Sequence, residues 1–301
     1  MIENSHSFNR FASALLLLGI VYILGPLWVA LMTASHSYQD ILENGFAWYP
    51  GTELFANIGR VFAETRIPVQ MLNSLLVALM ISGGICLLSF LTAFALVFLN
   101  LRVAPLIFAT ILATIMLPLD IRVVPTYQVA SNILAPVGAF LDLTGINTML
   151  PRPWHPELSI VNTHLGLALP LIAHGTGTFM FRQFFRTIPM DLAKAARMDG
   201  AGAWRFLIDV LLPLSKSSLA ALFVLMFLGG WTQYLWPLVA SSTADMQTAV
   251  VGLARLAPDA NGELPDYPLI MAAACVVSII PLMMIALLQR FLVRGMALSE
   301  K

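Results

Sequence analysis

Charged residues are scarce in this sequence. Only 11% of its 301 residues are Asp, Glu, Lys or Arg, whereas a soluble globular domain carries roughly 25%. Apolar residues make up 59% of the chain and the mean hydropathy is +0.84. This is not the composition of a water-soluble domain, and it predicts an integral membrane protein.

Lysine, cysteine and histidine are also few, and each shortage excludes a type of site. The three lysines follow Ala193, Ser215 and Glu300, so the chain has no Gly-Lys phosphate loop with which to bind ATP. Cys86 and Cys275 lie in apolar runs, where we expect packing and neither a disulfide framework nor a metal cluster. We expect no catalytic or metal site, because no paired carboxylates lie within an apolar run and the histidines lack metal-ligand spacing: His6, His36, His155, His164 and His174.

Long intervals without charge are the strongest positive feature. A charge at the centre of a bilayer costs about 2.5 to 3.5 kcal/mol on insertion scales, so such intervals mark membrane spans. The sequence predicts an all-α membrane protein with six transmembrane helices at residues 11–34, 71–101, 103–119, 158–181, 217–244 and 267–289. The first is longer than the apolar core of a signal peptide and no A-x-A site follows it, so we keep it in the mature protein.

The basic residues predict the orientation. Eleven of the 16 Lys and Arg lie on one side, in the segments 1–10 and 290–301, at Arg102 and in the loop 182–216. The positive-inside rule then places both termini in the cytoplasm. The opposite, external side holds residues 35–70, 120–157 and 245–266, which we predict to be irregular caps with short helices. Within 120–157, the charge-free but proline-containing interval 123–141 predicts an interfacial helix and re-entering chain.

The cytoplasmic loop 182–216 predicts a helix-turn-helix. Pro189 can open a helix, Asp191 complements its dipole, and Gly200 can end it in the left-handed conformation. We expect a second helix from Gly202 to Leu212, with Pro213 at the bend into the next span. Small side chains follow helical spacing on the first helix and could fit a groove of another protein: Leu192, Ala195, Ala196 and Asp199.

The second predicted span contains small residues at intervals of four. Ser74, Ala78 and Ser82 are followed by Gly83 and Gly84, and small residues at this spacing let helix backbones approach closely. We interpret the stripe as packing, within the chain or against a partner subunit.

One stretch of the cytoplasmic loop carries a resemblance to a known family. The residues Lys194, Ala195, Ala196, Arg197, Met198, Asp199, Gly200 and Ala201 resemble the EAA loop of binding-protein-dependent ABC importer permeases. Lys194 stands where that loop has Glu. The resemblance implies the type I ABC importer permease fold, with a permease domain at about 71–290, and an ATPase-coupling role for Lys194, Ala195, Ala196, Asp199, Gly200 and Ala201.

The similarity continues outside the loop. The strings LPLDIRVVPTYQ (117–128), GGWTQYLWPL (229–238) and QRFLVRGMALSEK (289–301) look like the carbohydrate-uptake, maltose-type branch, and within it like second permease subunits of glycerol 3-phosphate importers. Residues 136–161 match least. The resemblance implies that the substrate is glycerol 3-phosphate or a glycerophosphodiester, with a neutral sugar as the alternative.

The resemblance also implies an assembly in the bacterial cytoplasmic membrane. Its expected members are a sister permease forming a heterodimer, two ATPase subunits, and a periplasmic or lipid-tethered substrate-binding protein, within membrane lipid. ATP and magnesium are expected on the ATPase, with no cofactor in this chain. A net charge of zero argues against nucleic acid as a partner.

Polar residues that interrupt apolar helices are the candidates for a translocation pathway, because they usually face a bundle interior or cavity. They are Asn73, Arg122, Gln128, Gln233 and Tyr234. Hydrogen bonding between helices is the alternative for the uncharged ones, and pairing with Asp120 or a lipid headgroup is the alternative for Arg122. His174 is the one histidine expected deep inside a span.

Two other classes of protein fit the sequence less well. A secondary transporter needs paired broken helices or intramembrane carboxylates for its coupling ions. A polytopic membrane enzyme needs a cluster of His, Asp or Glu at the bilayer surface, and Asp120 with Arg122 is the nearest such group. Neither pattern is evident in the sequence.

Overall fold

The structure is a computed structural model that describes residues 6–116, 118–150, 152–257 and 264–297, with the backbone alone at 6–9, 119–120 and 290–297. Every regular element in these ranges is helical, which confirms the predicted all-α fold. The elements are α1 (His6–Ala34), α2 (Tyr38–Asn44), α3 (Leu54–Glu64), α4 (Ile67–Phe98), α5 (Ala104–Ile115), α6 (Leu119–Ser131), α7 (Ala135–Leu143), α8 (Ile146–Met149), α9 (His164–Ile172), α10 (Gly175–Thr187), α11 (Met190–Met198), α12 (Ala203–Phe206), a π-helical turn (Leu207–Leu211), α13 (Leu212–Leu214), α14 (Lys216–Trp231), α15 (Leu235–Ala240), α16 (Ala249–Arg255) and α17 (Tyr267–Ala297).

Three helices are individually long and apolar enough to cross a bilayer. They are the Arg10–Ala34 part of α1, the whole of α4, and the Tyr267–Gln289 part of α17. The 32 residues of α4 rise over about 48 Å, more than the roughly 30 Å of a bilayer core. Predicted spans one, two and six each coincide with one of these helices.

The other three predicted spans are shorter or interrupted helices. The interval 103–119 contains the 12-residue α5, and Pro118 precedes the first turn of α6. The interval 158–181 contains α9 and the first part of α10, which are separated at Ala173 and His174. The interval 217–244 contains α14 and α15, with a break over residues 232–234. Apolar composition therefore marks these intervals without revealing where their helices stop.

The structure divides into two compact units. The first comprises residues 1–69 and 252–280. In it, the buried side-chain amide of Asn57 donates hydrogen bonds to the carbonyl oxygens of Ala34 and His36, both at 2.9 Å. Arg60 pairs with Asp266 at 2.8 Å and with Glu64 at 3.2 Å. These hydrogen bonds, the one to Asp266 first, raise the pKa of Arg60 above its ordinary value.

The second unit comprises residues 70–251 and 281–301. The small-residue stripe of α4 allows close packing in this unit. A Cβ on Gly84 would lie 2.8 Å from side-chain atoms of Ile172, and one on Gly230 would lie 3.2 Å from the Cα of Ala78. Neighbouring Gly83 has open space around it. The interpretation of the stripe as packing is thus confirmed within the chain itself.

An aromatic cluster forms part of the core of the second unit. It consists of Phe90, Phe94, Phe98, Phe181, Phe185 and Phe206, all buried. Ring centroids lie 5.3 Å apart for Phe90 and Phe185, and 5.8 Å apart for Phe98 and Phe185, in edge-to-face geometry. Such pairs add to the stabilisation from burial alone. The cluster joins α4, α10 and α12.

Candidate functional site

The loop 182–216 folds largely as its turn chemistry predicts. Pro189 precedes α11, Asp191 lies in the first turn, and Gly200 has φ +76° just after the helix. The second helical stretch runs from Ala203 to Leu214 and includes the π-helical turn. Its axis meets that of α14 at 75°. The bend falls after Leu214, one residue beyond the proline that predicts it.

The inner side of this loop is fixed to the core of the second unit. Ala193 is buried on α11, and Phe206 and Leu211 are buried on the following stretch. The Phe206 ring lies 5.3 Å from that of Phe98 at the end of α4. The loop is therefore packed directly against the end of α4, and a packed core resists independent displacement of its parts.

The outer side carries most of the residues that resemble the EAA loop. Lys194, Ala195, Asp199 and Gly200 are exposed, whereas Ala196 and Ala201 are half-buried. The Lys194 ammonium lies 2.9 Å from a carboxylate oxygen of Asp191, in an exposed pair. A pair of this kind contributes little to stability, so the lysine is free to exchange its partner.

Two exposed apolar side chains on this surface were not predicted from the sequence. Met198 is 83% exposed and Trp204 is 68% exposed, on either side of the turn at Gly200. Two large exposed apolar side chains close in sequence are candidates for contact with another protein. A tryptophan in an otherwise basic loop is the signal that could have found this position. We call Lys194, Ala195, Met198, Asp199 and Trp204 the coupling surface.

A cavity of about 260 Å³ lies in the second unit, where the two interrupted spans and α6 come together. It brings together two of the five predicted pathway residues, Arg122 and Gln233, and adds His174. Its lining is Ile81, Ile85, Arg122, Pro170, Leu171, Ala173, His174, Leu225, Met226, Gly229, Gly230 and Gln233. Both helix breaks contribute to the lining of the cavity, since Ala173 and His174 form one break and Gln233 lies in the other.

The electrostatics of the cavity are positive. The Nε atom of Arg122 is buried and has no hydrogen-bond partner among the described residues. The side chain of Asp120, the alternative partner from sequence, lies outside the described residues. His174 is the residue before α10, and no side chain caps that helix. The N-terminus of α10 therefore adds its partial positive charge beside the cavity.

The other three pathway candidates lie outside this lining. Asn73 is buried, donates hydrogen bonds to the carbonyl oxygens of Asp245 (2.6 Å) and Gln247 (3.1 Å), and meets Nε2 of His164 at 2.9 Å. It fastens the segment after α15 to α4. Gln128 is exposed on α6, and Tyr234 is exposed beside Gln233. Within the described ranges, no three His, Cys, Asp or Glu side chains come together as a metal site.

Comparison with protein families gives one match over most of the chain. Residues 67–298 match the family described as binding-protein-dependent transport system inner membrane component. Several curated proteins are similar over 100% of this chain and of their own length. They include permease protein UgpE of the sn-glycerol-3-phosphate transport system from Yersinia pestis (38% identical), Agrobacterium fabrum (37%) and Brucella melitensis (36%).

A solved structure is similar in fold. One chain of a bacterial ABC transporter involved in the import of the acidic polysaccharide alginate superposes with a TM-score of 0.74, over 96% of this chain and 99% of that one. The two sequences are 18% identical, so this likeness concerns the fold alone. These findings confirm the resemblance inferred from the loop and from the three longer strings.

Proposed function

Because the chain belongs to the family of binding-protein-dependent transport system inner membrane components, we propose that it carries sn-glycerol 3-phosphate or glycerophosphodiesters across the membrane. As a member, it is a multi-pass permease subunit of an ATP-driven ABC importer and not an enzyme. The observation that carries the proposed substrate is full-length similarity to permeases named for sn-glycerol 3-phosphate transport.

A neutral sugar is the alternative substrate within the same branch. The cavity favours an anion, because the charge in its described lining is positive and the buried Nε of the residue that carries it has no hydrogen-bond partner among the described residues. Arg122 supplies this charge at the wall of the cavity. A permease for neutral sugars has no need of it.

The proposed assembly is a heterodimer with a sister permease, two ATPase subunits, and a periplasmic or lipid-tethered binding protein. Membership of the family implies an ATPase and a binding protein in general. Without a Gly-Lys loop, this chain leaves ATP and magnesium to the ATPase. The excess of basic residues in 1–10, 182–216 and 290–301 supports a bacterial inner-membrane orientation with both termini in the cytoplasm.

The coupling surface is the proposed contact with the ATPase. Its backbone is defined by the turn at Gly200, its inner side is packed, and its outer side presents Met198 and Trp204 to solvent. An exposed apolar pair flanked by charges suits a groove on a soluble partner. Ala196 and Ala201 support this surface from behind, as half-buried small residues.

The proposed pathway passes the cavity at Arg122 and Gln233. Tyr234 and Gln128 are exposed and lie outside the lining, and Asn73 holds the segment after α15 in place. This division follows from position, since Arg122 and Gln233 line the cavity and Asn73 is saturated with hydrogen bonds.

A deletion strain tests the substrate. Cells lacking this gene, and lacking other carriers for the same solute, are expected to stop growing on sn-glycerol 3-phosphate as the sole phosphorus source and to lose uptake of the radiolabelled compound. Complementation with the intact gene should restore both. Undiminished uptake in the deletion strain would contradict the proposed substrate.

Co-purification tests the assembly. After mild detergent extraction, the tagged chain is expected to bring down a second permease and an ATPase. A matched sample carrying Trp204→Asp should bring down the second permease and less of the ATPase. Recovery of the chain alone from both samples would contradict the assembly.

A further inference from the structure

Arg122 is an unusual residue in the cavity. Among the described residues it is the one charged side chain in a lining that otherwise consists of apolar residues, glycines, His174 and Gln233. The side chain is half-buried, and its buried Nε has no hydrogen-bond partner among the described residues. A buried N–H group without an acceptor is unfavourable, so an anion in the cavity would supply the acceptor that Nε lacks.

Further donors surround the same space. The amide of Gln233 and the imidazole of His174 both offer N–H groups, and α10 begins at Gly175 without a side-chain cap. These groups come from three separate elements: α6, the break before α10, and the break after α14. In the described part of the chain, no carboxylate lines the cavity, so nothing there would repel an anion or attract a cation.

We infer that this cavity is a binding site for a small phosphate monoester or similar oxyanion, with Arg122 as the residue that selects the negative charge. This inference rests on the proposed function for the identity of the anion, and on the cavity itself for its charge. The volume of about 260 Å³ lies just below the roughly 300 to 1,000 Å³ of typical small-molecule pockets. It suits a small solute and not an oligosaccharide chain.

Uptake by the complete importer in proteoliposomes gives the first test. Arg122→Gln is expected to lower uptake of sn-glycerol 3-phosphate about tenfold or more, because a hydrogen bond to a charged group is lost. Arg122→Lys keeps the charge without the planar fork, so it should be intermediate. Arg152→Gln is the matched control, since Arg152 is exposed and outside the lining, and its uptake should match that of the parent. Parental uptake by Arg122→Gln would overturn the inference.

Thiol labelling gives a second test that does not depend on the substrate. A Cβ on Gly229 meets nothing within 4 Å, and Gly229 lines the cavity, so Gly229→Cys places a reactive thiol there. The background carries Cys86→Ala and Cys275→Ala. The thiol should react faster with an anionic sulfonatoethyl methanethiosulfonate than with its cationic trimethylammonioethyl counterpart, and adding Arg122→Gln should lower that rate ratio about fivefold.

The two tests separate the two proposals. A rate ratio that falls with Arg122→Gln, in an importer that takes up no sn-glycerol 3-phosphate, supports the anion site and removes the proposed substrate. An unchanged ratio overturns the anion site even where uptake of sn-glycerol 3-phosphate is intact. If neither reagent labels the thiol, the uptake test decides whether the anion site stands. Lower uptake by Arg122→Gln than by Arg152→Gln supports the site, and equal uptake overturns it.

Discussion

The indole Nε1 of Trp236 donates a hydrogen bond to the carbonyl oxygen of Gly166 at 3.2 Å. In an unbroken helix, that carbonyl would accept from the residue four positions later, which here is Pro170 and has no N–H. Trp236 lies on α15 and is only 1% exposed. It therefore supplies from another helix the donor that proline removes from α9.

Trp236→Phe should destabilise the permease by about 1 to 3 kcal/mol, because it leaves a buried carbonyl without a donor. Thermal unfolding of the purified complex in detergent would measure this as a lower midpoint. Trp154→Phe is the control, since Trp154 is exposed. Equal midpoints for the two variants would show that the hydrogen bond to Gly166 does not matter for stability.

Two adjacent glycines in α4 should respond oppositely to alanine. Gly84→Ala places a Cβ 2.8 Å from Ile172 and should cost about 1 to 3 kcal/mol through overpacking. Gly83→Ala meets open space and should be neutral or stabilising by up to about 1 kcal/mol, because alanine favours the helix. Unfolding midpoints measured side by side would check the difference, and a Gly84→Ala protein as stable as Gly83→Ala contradicts it.

Substitutions of Asn162 should lower stability in two ways, through its side-chain hydrogen bonds and through its backbone conformation. It has φ +60°, and its Oδ1 accepts hydrogen bonds from the backbone N–H of Ser242 at 2.9 Å and of Thr243 at 3.1 Å. Asn162→Ala loses these bonds and adds about 1 kcal/mol of left-handed backbone strain.

Asn162→Gly loses the same bonds without the strain, and Asn162→Asp keeps an acceptor. The expected order of stability is Asp above Gly above Ala, measured by resistance of residues 240–243 to limited proteolysis. An Ala variant as resistant as the Asp variant would refute the role of this turn.

Trp204→Asp should weaken ATPase binding without unfolding the permease, because the side chain is exposed. We expect at least about a tenfold loss of affinity, as for truncation of an aromatic residue at an interface centre. Binding of purified ATPase to the permease in nanodiscs measures it. Phe206→Ala is the contrast, since Phe206 is buried and its loss should lower the unfolding midpoint.

Lys194→Glu should uncouple ATP hydrolysis from transport. Its partner within the chain is the exposed Asp191, so the lysine is available to a carboxylate of the ATPase, and reversing the charge would replace attraction with repulsion. The ratio of solute transported to ATP hydrolysed should fall, and Lys194→Ala should be milder. An unchanged ratio for both variants would place Lys194 at the edge of the interface, outside the energetic centre.

Local backbone preferences made the fold of the loop 182–216 predictable. Proline before α11 and a left-handed glycine after it depend on each residue's own backbone preferences, so no tertiary information was needed. The long apolar helices α1, α4 and α17 were predictable for a similar reason, because the cost of a charge in lipid leaves long charge-free intervals in the sequence.

The helix breaks were not predictable in this way. Counting charges does not detect a lost backbone hydrogen bond, and the close packing at the start of α10 is a tertiary effect: a Cβ on Gly175 would lie 2.6 Å from Ile115. The pathway residues show the same limit. Sequence placed Asn73 and Arg122 in one class of polar interruptions. Only three-dimensional contacts separate the hydrogen-bonded amide of Asn73 from Arg122, whose buried Nε has no partner among the described residues.

The breaks at Ala173–His174 and at residues 232–234 matter during biosynthesis as well as in the folded protein. During insertion, both segments present continuous apolar sequence with no charge, which a translocon accepts readily. Interrupting a helix frees backbone amides and carbonyls that lie beside the cavity. The permease thus inserts as apolar segments, and the polar residues of the proposed pathway come together only when its helices assemble.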